Sequence, residues 1–310
     1  MSVSRWIVAI VVLTAGVAAA PAAAEVGVSV GLGDQQVATF SDPNWQKLKL
    51  TRARYFINWD AMKYRNEYEA AGSWVYQARK RGVTPTFFIN TNNYEYKEAS
   101  LPSTDTYDVQ VRKLIEYFKG RGVKEWGAWN EANHKSQPTW DNPKRAAQYF
   151  HILRKRCEGC TVVGLDVLDQ GGVENYIADF FSALDSSDRS KVTVVGIHNY
   201  PDDNRFRTSG TSTIIKTVHK RKSDVKFWIT EGGGIVNFGS DFPCDEHRAA
   251  KAVTQTFKVA QTYDSSVSRL YAYNWTGNNC QGFDTGLARA DGSLREGYTS
   301  FRKQLDHFRD

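Results

Sequence analysis

The chain has 310 residues, 13% of them aromatic, and 40 lysines and arginines against 34 aspartates and glutamates give a formal charge of +6. That length suits one barrel-sized domain or two smaller ones. No block of lysine and arginine stands out, so the charge alone is poor evidence for nucleic acid, no nucleic-acid partner is expected, and a weak preference for acidic surfaces or polymers is what it leaves.

The N-terminus reads as a leader. "MSVSR" carries one charge, Arg5, and "WIVAIVVLTAGV" follows as an apolar core too short to span a bilayer comfortably. Ala22-Ala23-Ala24 fits a cleavage site before Glu25. Residues 1–24 are therefore expected to be a signal peptide and 25–310 the mature domain, exported and without a membrane span. The alternative, a retained anchor, needs a longer apolar run. Losing Arg5 takes the charge from +6 to +5.

Eight β-rich runs follow in order: "VGVSVGLG" from Val26, "LTRARYFINW" from Leu50, "TPTFFINT" from Thr84, "KEWGAWNE" from Lys124, "TVVGLDVL" from Thr161, "TVVGIHNY" from Thr193, "KFWITEGG" from Lys226 and "RLYAYNWT" from Arg269. Helical patterns such as "YDVQVRKLIEYFKGRG" and "DEHRAAKAVTQTFKVAQTY" separate them, and "REGYTSFRKQLDHF" closes the chain. Strand–helix alternation without interruption predicts a single-domain (β/α)8 TIM barrel. Helix-to-strand links are short, with Gly82 and Gly122 placed to end helices. Strand-to-helix links are long and polar, so they should build the functional face. Tyr94, Tyr96, Trp140 and Phe206 lie in those long links, where packing does not explain them and where they would surround a cleft.

The four cysteines suit an oxidising compartment. Cys157 and Cys160 form "CEGC" without the second pair or nearby histidines that a metal site needs. Disulfides Cys157–Cys160 and Cys244–Cys280 are the leading reading, and the two other connectivities stay open.

Polar residues end several runs. Asn130 and Glu131 close the fourth and Glu231 closes the seventh, so a barrel puts both glutamates on one face. Two carboxylates across a cleft are what glycoside hydrolysis uses, one to protonate the leaving oxygen and one to attack or to activate water. Repulsion from an ionised Glu231 would favour a protonated Glu131. Arg54 in the second run, if it faces inward, needs a carboxylate beside it. Each residue has a plainer explanation when taken alone. Arg54 could face outer helices, Asn130 could cap a helix, "GGG" at 232–234 could be a loose loop, His198 and Tyr200 a satisfied core pair, and Trp275 ordinary packing. Together, at the ends of runs two, four, six, seven and eight, they indicate a site. A metal hydrolase would need an H-x-H pair at an early strand end, and the six histidines are scattered.

"WNE", "HNY", "TEGG" and "NW", after runs four, six, seven and eight, resemble the motifs of retaining glycoside hydrolases of clan A, nearest to families five and thirty-nine and related bacterial glycosyl hydrolase catalytic core proteins. The resemblance spans the mature chain and implies that residues 25–310 are a glycoside hydrolase domain. It implies Glu131 as acid/base and Glu231 as nucleophile. Asn130 would bind the sugar 2-hydroxyl, Arg54 and Tyr200 would hold Glu231 ionised, His198 would line the subsite, and Trp275 would lie under the sugar ring. Asn90, ending the third run, stands where family five often has a histidine pair nearby, and this departure leaves the substrate open. The implied protein is a secreted monomer that needs no cofactor and cuts a polysaccharide or oligosaccharide, endo action being favoured. The alternatives are an exo-acting β-xylosidase-like enzyme and a carbohydrate-binding protein on an inactive barrel.

Overall fold

The computed structural model describes Met1, residues 26–94 and residues 99–308. The rest of the expected leader, Glu25 and Tyr96 lie outside the described residues. Eight strands, β1 (Ser29–Gly33), β2 (Arg52–Asn58), β3 (Thr84–Asn90), β4 (Glu125–Gly127), β5 (Thr161–Leu168), β6 (Val194–His198), β7 (Lys226–Gly232) and β8 (Val267–Tyr273), pair in parallel with their sequence neighbours. β8 returns to β1 and closes the barrel. The fold is a (β/α)8 barrel, as the alternation of runs predicts.

Ten helices accompany the strands among the described residues: α1 (Pro43–Lys47), α2 (Arg65–Lys80), α3 (Thr104–Lys119), α4 (Pro143–Arg156), α5 (Val173–Ala183), α6 (Ser186–Lys191), α7 (Tyr200–Asn204), α8 (Ser209–His219), α9 (Glu246–Thr262) and α10 (Glu296–Leu305). No helix there is long and apolar enough to cross a membrane. Gly82 and Gly122 follow α2 and α3 with φ of +74° and +98°, a left-handed turn that glycine enters without a Cβ penalty. Side-chain caps start several helices. Ser103 accepts from the Thr106 amide at α3, and Asp245 from the Arg248 amide at α9.

Alternation along each strand sorts side chains into two compartments. Outward residues such as Ala53, Phe87, Trp126, Val195 and Phe227 join the large core between strands and helices. Inward residues Phe88, Val163, Val194, Trp228 and Tyr271 fill the barrel, with Phe56 against them. Gly127 must be glycine for Phe88 to fit, because a Cβ would stand 2.2 Å from that ring. The lower end is closed by Glu125, which takes Arg52 at 3.2 Å and Arg269 at 2.5 Å, with the Arg269 guanidinium 3.7 Å from the centre of the Trp228 ring. Cys157–Cys160 and Cys244–Cys280 are both bonded, in the leading connectivity.

Candidate active site

Arg54 and Arg52 sit two apart on β2, so both point into the barrel, Arg52 at its lower end and Arg54 toward the upper. Arg54 is 1% exposed, and its guanidinium lies 4.4 and 4.0 Å from the Phe56 and Phe88 ring centres. A cation buried this deeply needs partners. It donates to Glu231 Oε1 at 2.7 Å, to Asn130 Oδ1 at 2.6 Å and to Asp166 Oδ2 at 3.4 Å.

Glu131 arrives by a break in β4. After Gly127 the Ala128 amide donates to Val163 and the Asn130 amide to Ile89 O, so the backbone stays tied to β5 and β3. Glu131 itself has φ of +43°, which is costly for a residue with a Cβ and typical of functional turns. Its Oε1 accepts from His198 Nδ1 at 2.9 Å, and His134 Nδ1 lies 3.8 Å from its Oε2.

Glu231 is fixed by the segment after β6. In α7 the Tyr200 hydroxyl donates to Glu231 Oε2 at 3.0 Å. Asp203 accepts from the Gly233 amide at 2.8 Å. Asn204 donates to Gly233 O at 2.9 Å and accepts from the Ile235 amide at 2.8 Å. The three glycines are therefore not a loose loop. A Cβ on Gly234 would lie 1.9 Å from the Ala249 carbonyl, so glycine there lets β7 run onto α9.

His198 sits between the two glutamates. Its Nδ1 is 2.9 Å from Glu131 Oε1 and 3.5 Å from Glu231 Oε1, and its Nε2 is 3.0 Å from Asp166 Oδ2. One oxygen of each glutamate and a His198 nitrogen all lie within 4.8 Å of one another. This set has metal-like donors, but a cationic Arg54 in salt-bridge contact opposes a second cation there.

The charges form one coupled system. Burial works against a protonated imidazole, but Glu231 and Asp166 outweigh it and raise His198 to about 10. Both ring nitrogens then carry protons, and the ring donates to a carboxylate on each side. Burial raises Asp166 less than His198 and Arg54 lower it, so it stays ionised. Glu131 shows the same balance, and His198 and His134 hold it below the ordinary glutamate value despite its burial. Burial dominates at Glu231 and pushes it up, against the pull of His198 and Arg54. Burial and Glu231 together raise Tyr200 far above the usual phenol, which keeps its proton available to donate.

His198 therefore makes stability depend on pH. Its folded value near 10 exceeds the ordinary 6.5, so the folded protein holds the extra proton in between. The stabilisation is complete below about 6.5 and is lost as pH rises toward 10. The melting temperature of the wild type should fall more steeply across that window than that of His198→Gln. Equal slopes would mean that the folded imidazole is neutral.

Of the residues expected from sequence, Arg54, Asn130, Glu131, His198, Tyr200 and Glu231 converge. Asn90 is buried and donates to the hydroxyl of Tyr94, whose ring is exposed and whose hydroxyl feels both glutamates. Trp275 does not face the cleft. It is 2% exposed, packs edge-on to Tyr298 at 5.9 Å and donates from Nε1 to Asp42 at 3.3 Å, in the core outside the barrel. Asp34 accepts from the Trp275 and Thr276 amides, and the chain turns there. Tyr273 is instead the aromatic from β8 on the inner side, 5.5 Å from Phe56 and close enough for Glu231 and Arg54 to act on its hydroxyl. Trp140 is half-buried, and Phe206 is exposed with φ of +53°.

Sequence reasoning missed Asp166. It accepts from Thr230 Oγ1 and lies between Arg54 and His198, whose nearest nitrogens are only 3.3 Å apart. Two cations that close require the intervening carboxylate. Gly196 leaves room for it, since a Cβ there would be 1.9 Å from Asp166 Oδ1. The available signal was a lone aspartate inside the apolar run "TVVGLDVL".

No protein-family model matches the sequence, and no curated protein matches it. Solved structures do match. A family 39 glycoside hydrolase from the gut symbiont Bacteroides cellulosilyticus WH2 has a TM-score of 0.64 at 18% identity, over 89% of this chain and 63% of that one. The two share the (β/α)8 barrel fold. An endo-1,4-β-xylanase from Caldicellulosiruptor owensensis matches at 0.63 and 13% identity over 89% of this chain and 96% of its own. A fungal β-1,4-galactanase matches at 0.65 and 11% identity over 88% and 98%. The chain thus spans less than two thirds of the family 39 protein but nearly the whole of the other two.

Proposed function

We propose that this protein is a retaining glycoside hydrolase acting on β-linked sugars, with Glu131 as acid/base and Glu231 as nucleophile. The observation that carries the reading is the carboxylate pair at the upper barrel end, with oxygens within 4.8 Å. Retaining enzymes hold their carboxyls about 5–5.5 Å apart, whereas inverting ones leave about 6.5–9.5 Å for a water. Arg54 and Tyr200 both donate to Glu231, which fixes its orientation for attack on the anomeric carbon.

The two glutamates titrate as a pair. The working state has the proton on Glu131 and the charge on Glu231. At rest the balance tilts the other way, with Glu131 held low by His198 and Glu231 raised by burial. A sugar covering Glu131 removes water from it and raises it, which favours the working arrangement. When Glu231 becomes the glycosyl ester its charge is gone, and Glu131, beside the imidazolium, is left as the base that activates water.

Two of the structural neighbours are named as β-1,4-acting enzymes, an endoxylanase and a galactanase, which supports a β-1,4-linked chain as substrate. We infer secretion from the leader-like N-terminus and the disulfides. A panel of aryl β-glycosides and soluble β-1,4-polysaccharides, scored for reducing ends, tests the reading. Cleavage of at least one is expected, and none would count against it.

A further inference from the structure

The loops after β7 and β8 are joined into one wall. The Val236 amide donates to Asp284 O at 2.7 Å, and the Asp284 amide donates to Asn237 O at 2.9 Å. Cys244–Cys280 links the same two loops. The Asp284 carboxylate takes both Arg295 terminal nitrogens at 2.7 Å and the Cys280 amide at 2.8 Å.

The wall holds two phenylalanines in the open. Phe283 is 39% and Phe238 49% exposed, and they meet edge-to-face at 5.4 Å. Phe283 also meets Tyr200 edge-to-face at 5.2 Å, and the Tyr200 hydroxyl is bound to Glu231. A continuous run of rings therefore leads from the carboxylate pair to the rim. Leaving two large apolar rings in water costs about 25 cal/mol for each Å² that could have been buried. The disulfide and the Asp284–Arg295 ion pair brace the two loops that carry these rings.

Resting on the proposed hydrolase reading, we propose that Phe283 and Phe238 form a stacking wall for sugar rings beyond the cleavage point, so that the natural substrate is a chain of several β-linked pyranoses. A pyranose offers an apolar C–H face to an aromatic ring and hydroxyls to water around its edge. Rings held rigid in advance lose little entropy on binding. The occupant must also reach Glu231, since the rings run on through Tyr200, and an extended sugar chain meets that condition.

The test compares Phe238→Ala, Phe283→Ala and Phe283→Tyr with the wild type on a single-ring aryl β-glycoside and on a six-ring β-1,4-oligosaccharide of the same sugar. Each alanine variant should lose about tenfold more kcat/KM on the long substrate than on the short one, mainly through KM, a step of the size expected of one aromatic contact. Phe283→Tyr, which keeps a stacking face, should restore the long substrate. Equal losses on both substrates would overturn the wall and leave Phe283 as mere support for Tyr200. Affinity electrophoresis in gels containing soluble β-1,4-polysaccharide reads binding without catalysis. Retardation of the wild type but not of the alanine variants supports the wall even if no cleavage is seen, in which case only the hydrolase reading falls. Identical migration of all forms overturns the wall.

Discussion

Replacing Glu231 by alanine is expected to lower turnover of every substrate by about 10⁴-fold or more, because no covalent intermediate can form. Glu131→Ala should behave differently. An aryl glycoside with a good leaving group needs little protonation, so its first step survives while the second slows for want of a base. Azide, a nucleophile that needs no base, should then restore turnover and give a β-glycosyl azide. With Glu231→Ala, azide enters from the vacated side and gives the α-anomer. The opposite pairing of anomers and variants would exchange the two roles. Undiminished activity in both variants would remove this pair from the reaction.

Arg54→Met should carry the largest cost in stability. The substitution strips Glu231 and Asp166 of their guanidinium and leaves Asn130 Oδ1 without its donor. Removing one member of a buried ion pair costs about 3–5 kcal/mol, measurable by urea unfolding at neutral pH. The loss should shrink in acid. Without the cation, the folded-state pKa values of Glu231 and Asp166 rise, so the variant recovers stability as pH falls and they take up protons. A penalty that did not change with pH would show that lost packing on Phe56 and Phe88, not charge, dominates.

The barrel could be read from the chain because each unit repeats one physical signal. A short β-rich run alternates with an amphipathic helix, and long polar links follow the strands. The paired glutamates could be read for the same reason, since strand ends in a closed barrel share a face. Strict alternation failed where the ladder slips. Counting from Val163, which faces inward, would turn Asp166 outward, but β5 changes register against β6 between Val163 and Leu165 and brings it in. Register slips at His198 and before Gly232 likewise let both Thr230 and Glu231 reach the interior. Trp275 failed in the opposite direction. It stands four residues after the inward Tyr271, yet the hydrogen bonds to Asp34 turn the chain and bury it outside the barrel. Such slips depend on contacts between distant segments, here Asp34 with Trp275 and Asp166 with Thr230, which no local window contains.

The resting charge distribution has a second consequence. His198 lowers Glu131, and a neutral glutamine in its place would raise both carboxyls, since a nearby cation favours the ionised form. The imidazolium therefore favours the ionised form of both carboxyls, and Glu231 and Asp166 in turn keep that imidazolium charged.

The most direct measurement of double displacement is the anomer released first. The protein would be mixed with the β-1,4-linked substrate that it cuts fastest, and the new reducing end followed by proton NMR before mutarotation. Glu131 and Glu231 acting in two successive inversions predict that the β-anomer appears first and the α-anomer grows in only at the rate of mutarotation. An α-anomer appearing first would mean a single inversion by water, and would contradict Glu231 as the nucleophile.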